Sequence, residues 1–246
     1  MRVAQCSTRR EFLQVTGVTG TGLFIAALAP PAAAEDKDDK PKSRDEAAAK
    51  PEEEVSPAED LMREHGVLKR VMLVYDEIVR RMDARQDFPP EALLQSAQLI
   101  RSFVEDYHEK LEENYLFPRF ERANKLTDLV KVLRAQHEAG RKVTDVVLQR
   151  ANPRALKDSD DRTRVADAIR QFNRMYAPHE AREDTVLFPA FRGIVSAHEY
   201  AALGEEFEKQ EDKLFGEDGF EKMVDRVAGI EKTLGIYDLS QFTPKV

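Results

Sequence analysis

Cysteine is almost missing from this chain of 246 residues: there is one, Cys6. Without cysteine pairs there are no disulfide staples, and without thiolates there are no protein-bound iron–sulfur clusters and no cysteine-based zinc sites. A basic excess is missing as well. Lys and Arg number 38 against 46 Asp and Glu, a formal net charge of −8, which argues against nucleic acid as a partner. The basic residues between Lys125 and Lys142 fall at helical spacing among acids and read as a solvated face. Glycine is sparse, at 11 residues, and no stretch alternates apolar and polar side chains as a half-buried strand would. Nor is there a comfortable membrane span. The one weakly apolar run, Val15 to Ala29, is short and rich in Gly and Thr.

That run has a better reading. Thr8-Arg9-Arg10-Glu11-Phe12-Leu13 is a twin-arginine signature, and Ala32-Ala33-Ala34 closes the apolar stretch. Charged, then apolar, then small is the order of an export signal, so residues 1–34 are expected to be a twin-arginine signal peptide cleaved after Ala34. An uncleaved anchor is the alternative. Cleavage would remove Cys6 together with three arginines and one glutamate, taking the charge from −8 to −10. The mature protein would then be periplasmic or secreted and free of the membrane. Residues 35–57 are charged, rich in Pro and Ala and nearly free of large apolar groups, which predicts a disordered linker.

From Leu61 the pattern becomes helical, and the expected fold class is all-α. A first helix, residues 57–84, carries the stripe Leu61, His65, Leu68, Met72, Tyr75, Val79, Met82. A second, 90–115, carries Leu93, Ala97, Ile100, Val104, His108, Leu111, Tyr115, with Glu112 beside them. A third, 125–149, carries Leu126, Val130, Leu133, His137, Gly140, Thr144, Leu148. A fourth, 161–188, carries Val165, Ile169, Phe172, Tyr176, His179, Glu183, Val186, and Pro178 inside it should kink it. Four amphipathic helices on short connections predict an up-down-up-down four-helix bundle over residues 58–192. Two more helices are expected in 193–246, packed on the outside. Ser196-x-x-Glu199 is a capping box for the first of them, with Leu203, Phe207 and Leu214 as its sparse apolar face. Residues 220–234 form the second, stopped by Gly235.

One motif is written twice. His108-Glu109-x-x-Glu112 is followed by Leu116-Phe117-Pro118-x-Phe120, and His179-Glu180-x-x-Glu183 by Leu187-Phe188-Pro189-x-Phe191. An imidazole and a carboxylate four residues apart share one helix face. The LFP-x-F runs are expected to end their helices, the Phe residues closing the core and Pro stopping the helix. Four of the five histidines, His65, His108, His137 and His179, fall on the apolar stripes, one per helix. Their spacing repeats, 43 residues from His65 to His108 and 42 from His137 to His179. His198 lies off any stripe and reads as surface. A core imidazole needs a partner, and buried carboxylates with no Arg or Lys on their stripes need countercharge. Two divalent metals supply both. The expected ligands are His65 and His108 on one metal, His137 and His179 on the other, with Glu112 and Glu183 bridging. Mixed nitrogen and oxygen donors suit iron, with zinc or manganese as alternatives. A ferritin-like site would need a second Glu-x-x-His. Glu105 to His108 is one, but position 176, three before His179, is Tyr.

Over residues 58–192 this pattern resembles the hemerythrin-like, or HHE cation-binding, family. The resemblance implies a non-haem centre of two iron ions bridged by two carboxylates and an oxygen species. It implies a small ligand such as O2, peroxide or nitric oxide, with iron handling or sensing among the family's roles. Enzymatic decomposition of peroxide, reduction of nitric oxide, and iron or zinc buffering are the alternative functions. Oxygen-carrying members have a fifth histidine one turn after the position of His137, and here that residue is Arg141. Four imidazoles therefore leave one open position on each metal, where a fifth would leave one in all. Glu109 is a further candidate ligand, because an acid at its position binds metal in some relatives. A solvent-facing helix acid is the alternative. Glu180 is its counterpart. Tyr107, Tyr115 and Tyr176 are candidates for packing, for hydrogen bonds to the ligands, or for a redox path.

Overall fold

The computed structural model describes residues 55–246. The expected signal peptide, its cleavage site and nearly all of the expected linker lie outside the described residues. Among the described residues the secondary structure is helical and contains no strand, in six long helices. None of these helices is long and apolar enough to cross a membrane.

Helix α1 is Pro57–Asp83. Ser56 caps it by accepting from the Glu59 amide, Pro57 opens it where an amide hydrogen is not needed, and Arg80 and Arg81 stand in the last turn. All seven stripe residues read from the sequence are buried. Helix α2 spans residues 90–122, α3 is Thr127–Arg150, and α4 spans residues 159–191. Asp158 caps α4 by accepting from the amides of Asp160 and Asp161. Helices α5, Ala197–Phe215, and α6, Gly219–Leu234, follow. Helix α1 packs against α2 and α4, and α3 packs against the same two. Helix α6 lies on α1 and α2, and α5 on α1 and α6. The Ser196 hydroxyl accepts from the Glu199 amide at 3.1 Å, and Gly235 ends α6 at φ 71°. Both outcomes match the sequence reading.

The structure departs from expectation in informative places. Neither proline stops its helix: α2 continues past Pro118 to Arg122, and α4 past Pro189 to Phe191, the last residue of its run. The reason lies in the turn before each proline. Glu112–Leu116 and Glu183–Leu187 are π-helical, with the Phe117 amide donating to the Glu112 carbonyl and the Phe188 amide to that of Glu183. A proline ring in an α-helix clashes with the carbonyl four residues back, and a widened turn relieves the clash without breaking the rod. The extra residue in each wide turn also rotates the buried face. Leu116 and Leu187 are buried, while Tyr115 and Val186, the positions α-periodicity selects, are only half-buried. A longer π-helical stretch, Ile100–His108, precedes the first motif. Its counterpart in α4 is α-helical and runs through Pro178 uninterrupted. Leu126 is not part of α3; it sits in left-handed geometry at φ 49°, which turns it out of the core. Leu214 is exposed as well, and Glu211 takes the buried position on α5.

Candidate metal centre

The four helices bring the four stripe histidines together in two pairs. His65 Nε2 lies 3.1 Å from His108 Nε2, and His137 Nε2 lies 3.3 Å from His179 Nε2. The two glutamates join the pairs. Glu183 Oε2 is 3.4 Å from His65 Nε2 and 3.1 Å from His179 Nε2. Glu112 Oε2 is 3.9 Å from His108 Nε2 and 3.4 Å from His137 Nε2. Each carboxylate thus reaches one imidazole of each pair. All six residues are buried, Glu112, Glu183 and His137 completely.

The imidazoles face inward because their other nitrogens are tied from outside. Nδ1 of His65 donates to Asp184 at 2.7 Å, that of His108 to Glu64 at 2.7 Å, that of His137 to Glu113 at 3.1 Å, and that of His179 to Gln136 at 2.8 Å. An oxygen acceptor at Nδ1 fixes the tautomer and leaves Nε2 with its lone pair toward the centre. Sequence reasoning missed these four partners, yet the repeat marks them. Glu64 and Gln136 each immediately precede a stripe histidine, and Glu113 and Asp184 each immediately follow a motif glutamate. The LFP motifs supply the walls. Phe117 stacks on His137 and Phe188 on His65, at 5.5 and 5.4 Å between ring centroids and 24° between planes in both cases. Phe120 and Phe191 meet at 5.9 Å and close the core beyond them.

Donors at this density do not satisfy one another. No oxygen of Glu112 or Glu183 makes a well-formed hydrogen bond. Lone pairs on paired Nε2 atoms repel unless something positive lies between them. As protein groups alone, the cluster meets this with protons. Burial and the charge of Glu183 push Glu112 well above the carboxylate range. Burial also raises Glu183, but His179 and His65 outweigh it and hold Glu183 well below that range. Burial lowers His65, yet Asp184 and Glu183 bring it up to about 9. Burial and the neighbouring His65 charge drive His108 well below its usual value. A cation would serve all of these groups at once, so the donor set fits a metal pair. Two groups whose donor atoms lie within 4.8 Å of one another, close enough to share a cation, meet here: Glu112, His137, His179 and Glu183, and His65, His108 and Glu112.

Glu109 is not brought into either cluster. It is buried, and its oxygens accept from the Tyr176 hydroxyl and from Arg141 Nη2, each at 2.6 Å. Burial pushes its carboxyl up to about 8 against the opposing pull of both partners. Glu109, Glu113 and His137 form a further group able to hold a cation, which shares His137 with the first cluster. Arg141 also binds Glu113 at 2.6 Å. Glu180 pairs with Lys69 at 2.8 Å, and Lys69 stands one turn after His65 as Arg141 stands after His137. Of the other tyrosines, Tyr115 donates to Glu206 at 3.1 Å and Tyr107 reaches Glu211 at 3.5 Å. His198 is on the surface.

A family model described as the hemerythrin HHE cation binding domain matches residues 56–152, a span that holds His65, His108, Glu112 and His137. The second motif copy, with His179 and Glu183, lies beyond it. The chain is 48% identical over 238 residues to the uncharacterized protein Rv1995 of Mycobacterium tuberculosis, covering 96% of this chain and 91% of that protein. The uncharacterized protein Mb2018 of Mycobacterium bovis matches with the same identity and coverage. No solved structure matches.

Proposed function

We propose that the chain, whose residues 56–152 match the hemerythrin HHE cation binding domain, is a non-haem di-iron protein that binds O2, or a related ligand such as peroxide or nitric oxide. His65, His108, His137 and His179 would supply four imidazoles, with Glu112 and Glu183 as carboxylates common to both metals. One observation carries this reading: four inward imidazole nitrogens and four buried carboxylate oxygens converge without a lysine or arginine partner among the described residues. The pairing of His65 with His108 and of His137 with His179 supports two adjacent cation positions. Helices α1 to α4 are taken as an up-down-up-down bundle, which their short connections and neighbour packing favour. Iron is the metal of choice for the donor mixture, with manganese and zinc behind it.

An iron pair would supply reversible electron exchange with O2 or peroxide. The protein's own groups would do the rest. Asp184, Glu64, Glu113 and Gln136 hold the imidazoles in one tautomer, and Phe117 and Phe188 exclude water. Arg141 favours a second reading, turnover of peroxide or nitric oxide. Its guanidinium is held by Glu109 and Glu113, so no fifth imidazole closes the centre. Residues 1–34 would serve export by the twin-arginine route, which carries folded proteins with their metals in place.

The test is metal analysis of the purified chain with absorption spectra before and after O2, peroxide and nitric oxide. Two irons per chain and ligand-dependent charge-transfer bands are expected. Zinc alone from iron-replete cells, or no metal, overturns the reading. Steady-state peroxide consumption separates the enzyme from the binding protein.

A further inference from the structure

The two imidazole pairs are alike at the centre and unlike behind it. His65 and His108 are both backed by acids, Asp184 and Glu64, at 2.7 Å each. Glu64 is itself buried. No lysine or arginine ion pair forms with Asp184 among the described residues. Behind the other pair the negative charge is nearly spent. Glu113, which backs His137, also accepts from Arg141 and Lys110, at 2.6 Å each. His179 is backed by Gln136, a neutral amide. An anionic acceptor on Nδ1 makes the imidazole a stronger donor at Nε2 and adds negative charge within a few ångströms of the metal, whereas an amide only orients the ring.

We infer that the two metal positions are ranked: the His65/His108 position holds its cation more tightly, and Gln136, as a positioning residue, makes the His137/His179 position the exchangeable one. This rests on the proposed two-metal centre and adds to it an order of filling and release. The ranking does not come from ligand count, which is two imidazoles on each side. Its source is the substitution of Gln136 for an acid at the position where the first half has Glu64, with the neutralisation of Glu113 by two cations acting in the same direction. The tight position would keep the centre assembled while the other admits and releases a metal.

The test uses the full chain loaded with Co2+, whose visible absorption reports its ligands, and challenged with a graded series of EDTA. The wild-type chain is expected to lose its two ions in two steps, separated by about tenfold or more in EDTA, since such outer hydrogen-bond partners are worth about 10–100-fold in metal affinity. Gln136→Glu should move the weak step toward the strong one and leave the strong step in place. Glu64→Gln should weaken the strong step alone. Gln136 is only half-buried, so its variant keeps the test sound if Glu64→Gln does not fold, and circular dichroism checks both. Two bound ions lost in one step, with Gln136→Glu unchanged, overturn the ranking and leave the two-metal reading standing. A chain that never holds two Co2+ overturns both.

Discussion

The first half of the core, α1 and α2, and the second, α3 and α4, present the same six-residue centre through different surroundings. What is duplicated is what the centre itself requires: one imidazole per helix, one carboxylate a turn after the motif histidine, an acceptor behind every ring, a π-helical turn and a phenylalanine wall. What differs lies one layer out. Glu64 corresponds to Gln136, Glu105 to Tyr176, and Leu68 to Gly140. The electrostatics follow. His65 is brought up to about 9 by Asp184 and Glu183 against the opposing effect of burial. For its counterpart His137 burial prevails, and its pKa falls although it is bonded to Glu113. Repetition therefore marks the chemistry held in common, and divergence marks where each half has its own task.

The largest expected effect comes from breaking the shared layer. His108→Ala in the first half or Glu183→Ala in the second should bring metal content well below two per chain and lower the thermal midpoint. Removing one partner of a buried charge pair costs about 3–5 kcal/mol, and metal binding is itself folding energy. Full occupancy retained in both variants would show that the centre is elsewhere.

Next is a contrast between two helical glycines. A Cβ on Gly140 in α3 would stand 2.1 Å from the Tyr176 hydroxyl, whereas one on Gly66 in α1 would meet nothing within 4 Å. Gly140→Ala should displace Tyr176 from Glu109 and destabilise by about 1–3 kcal/mol. Gly66→Ala should stabilise by about 0.5–1 kcal/mol, because a mid-helix glycine carries an entropic penalty. Denaturant melts of the two variants should move in opposite directions; equal shifts would deny that the Tyr176 ring fills the space beside Gly140.

A pH series on the metal-free chain sharpens the contrast between His65 and His137. A histidine raised from 6.5 to about 9 in the folded state contributes stability that is complete below pH 6.5 and disappears as pH rises through 9. The metal-free chain should therefore lose stability between those limits, and His65→Gln should flatten that part of the curve. The metal-loaded chain should behave in the opposite sense, gaining affinity with pH, because a ligating imidazole must be deprotonated.

The smallest effect is local. Ser56 caps α1 and Asp158 caps α4, while α2 and α3 start without a side-chain cap. Ser56→Ala should cost about 1 kcal/mol in a thermal melt and leave metal content unchanged.

Much of this was legible in the chain itself. Apolar spacing marks five of the six long helices and a capping box the other, and the polar residues interrupting that spacing name the cluster residues, since an imidazole on a core stripe stands out against its neighbours. The four acceptors behind the imidazoles were overlooked because they flank the stripes, where an acid or amide looks like any solvated helix residue. Their repetition in both halves was the available signal. Glu109, whose place in the motif suits either a ligand or a solvent-facing acid, is buried and held by Tyr176 and Arg141 from two other helices. The π-helical turns escaped because α-periodicity assumes a constant step, and Pro118 and Pro189 were read as stops when a wide turn lets the helix continue.

By itself the sequence determined the helical class, the doubled motif and the six residues able to share a buried charge, because burial cost and helical period are local properties of the chain. Only the tertiary structure decided which imidazole meets which, that each glutamate reaches both pairs, and what stands behind each ring. Those relations join residues from different helices, and no spacing along one helix encodes them.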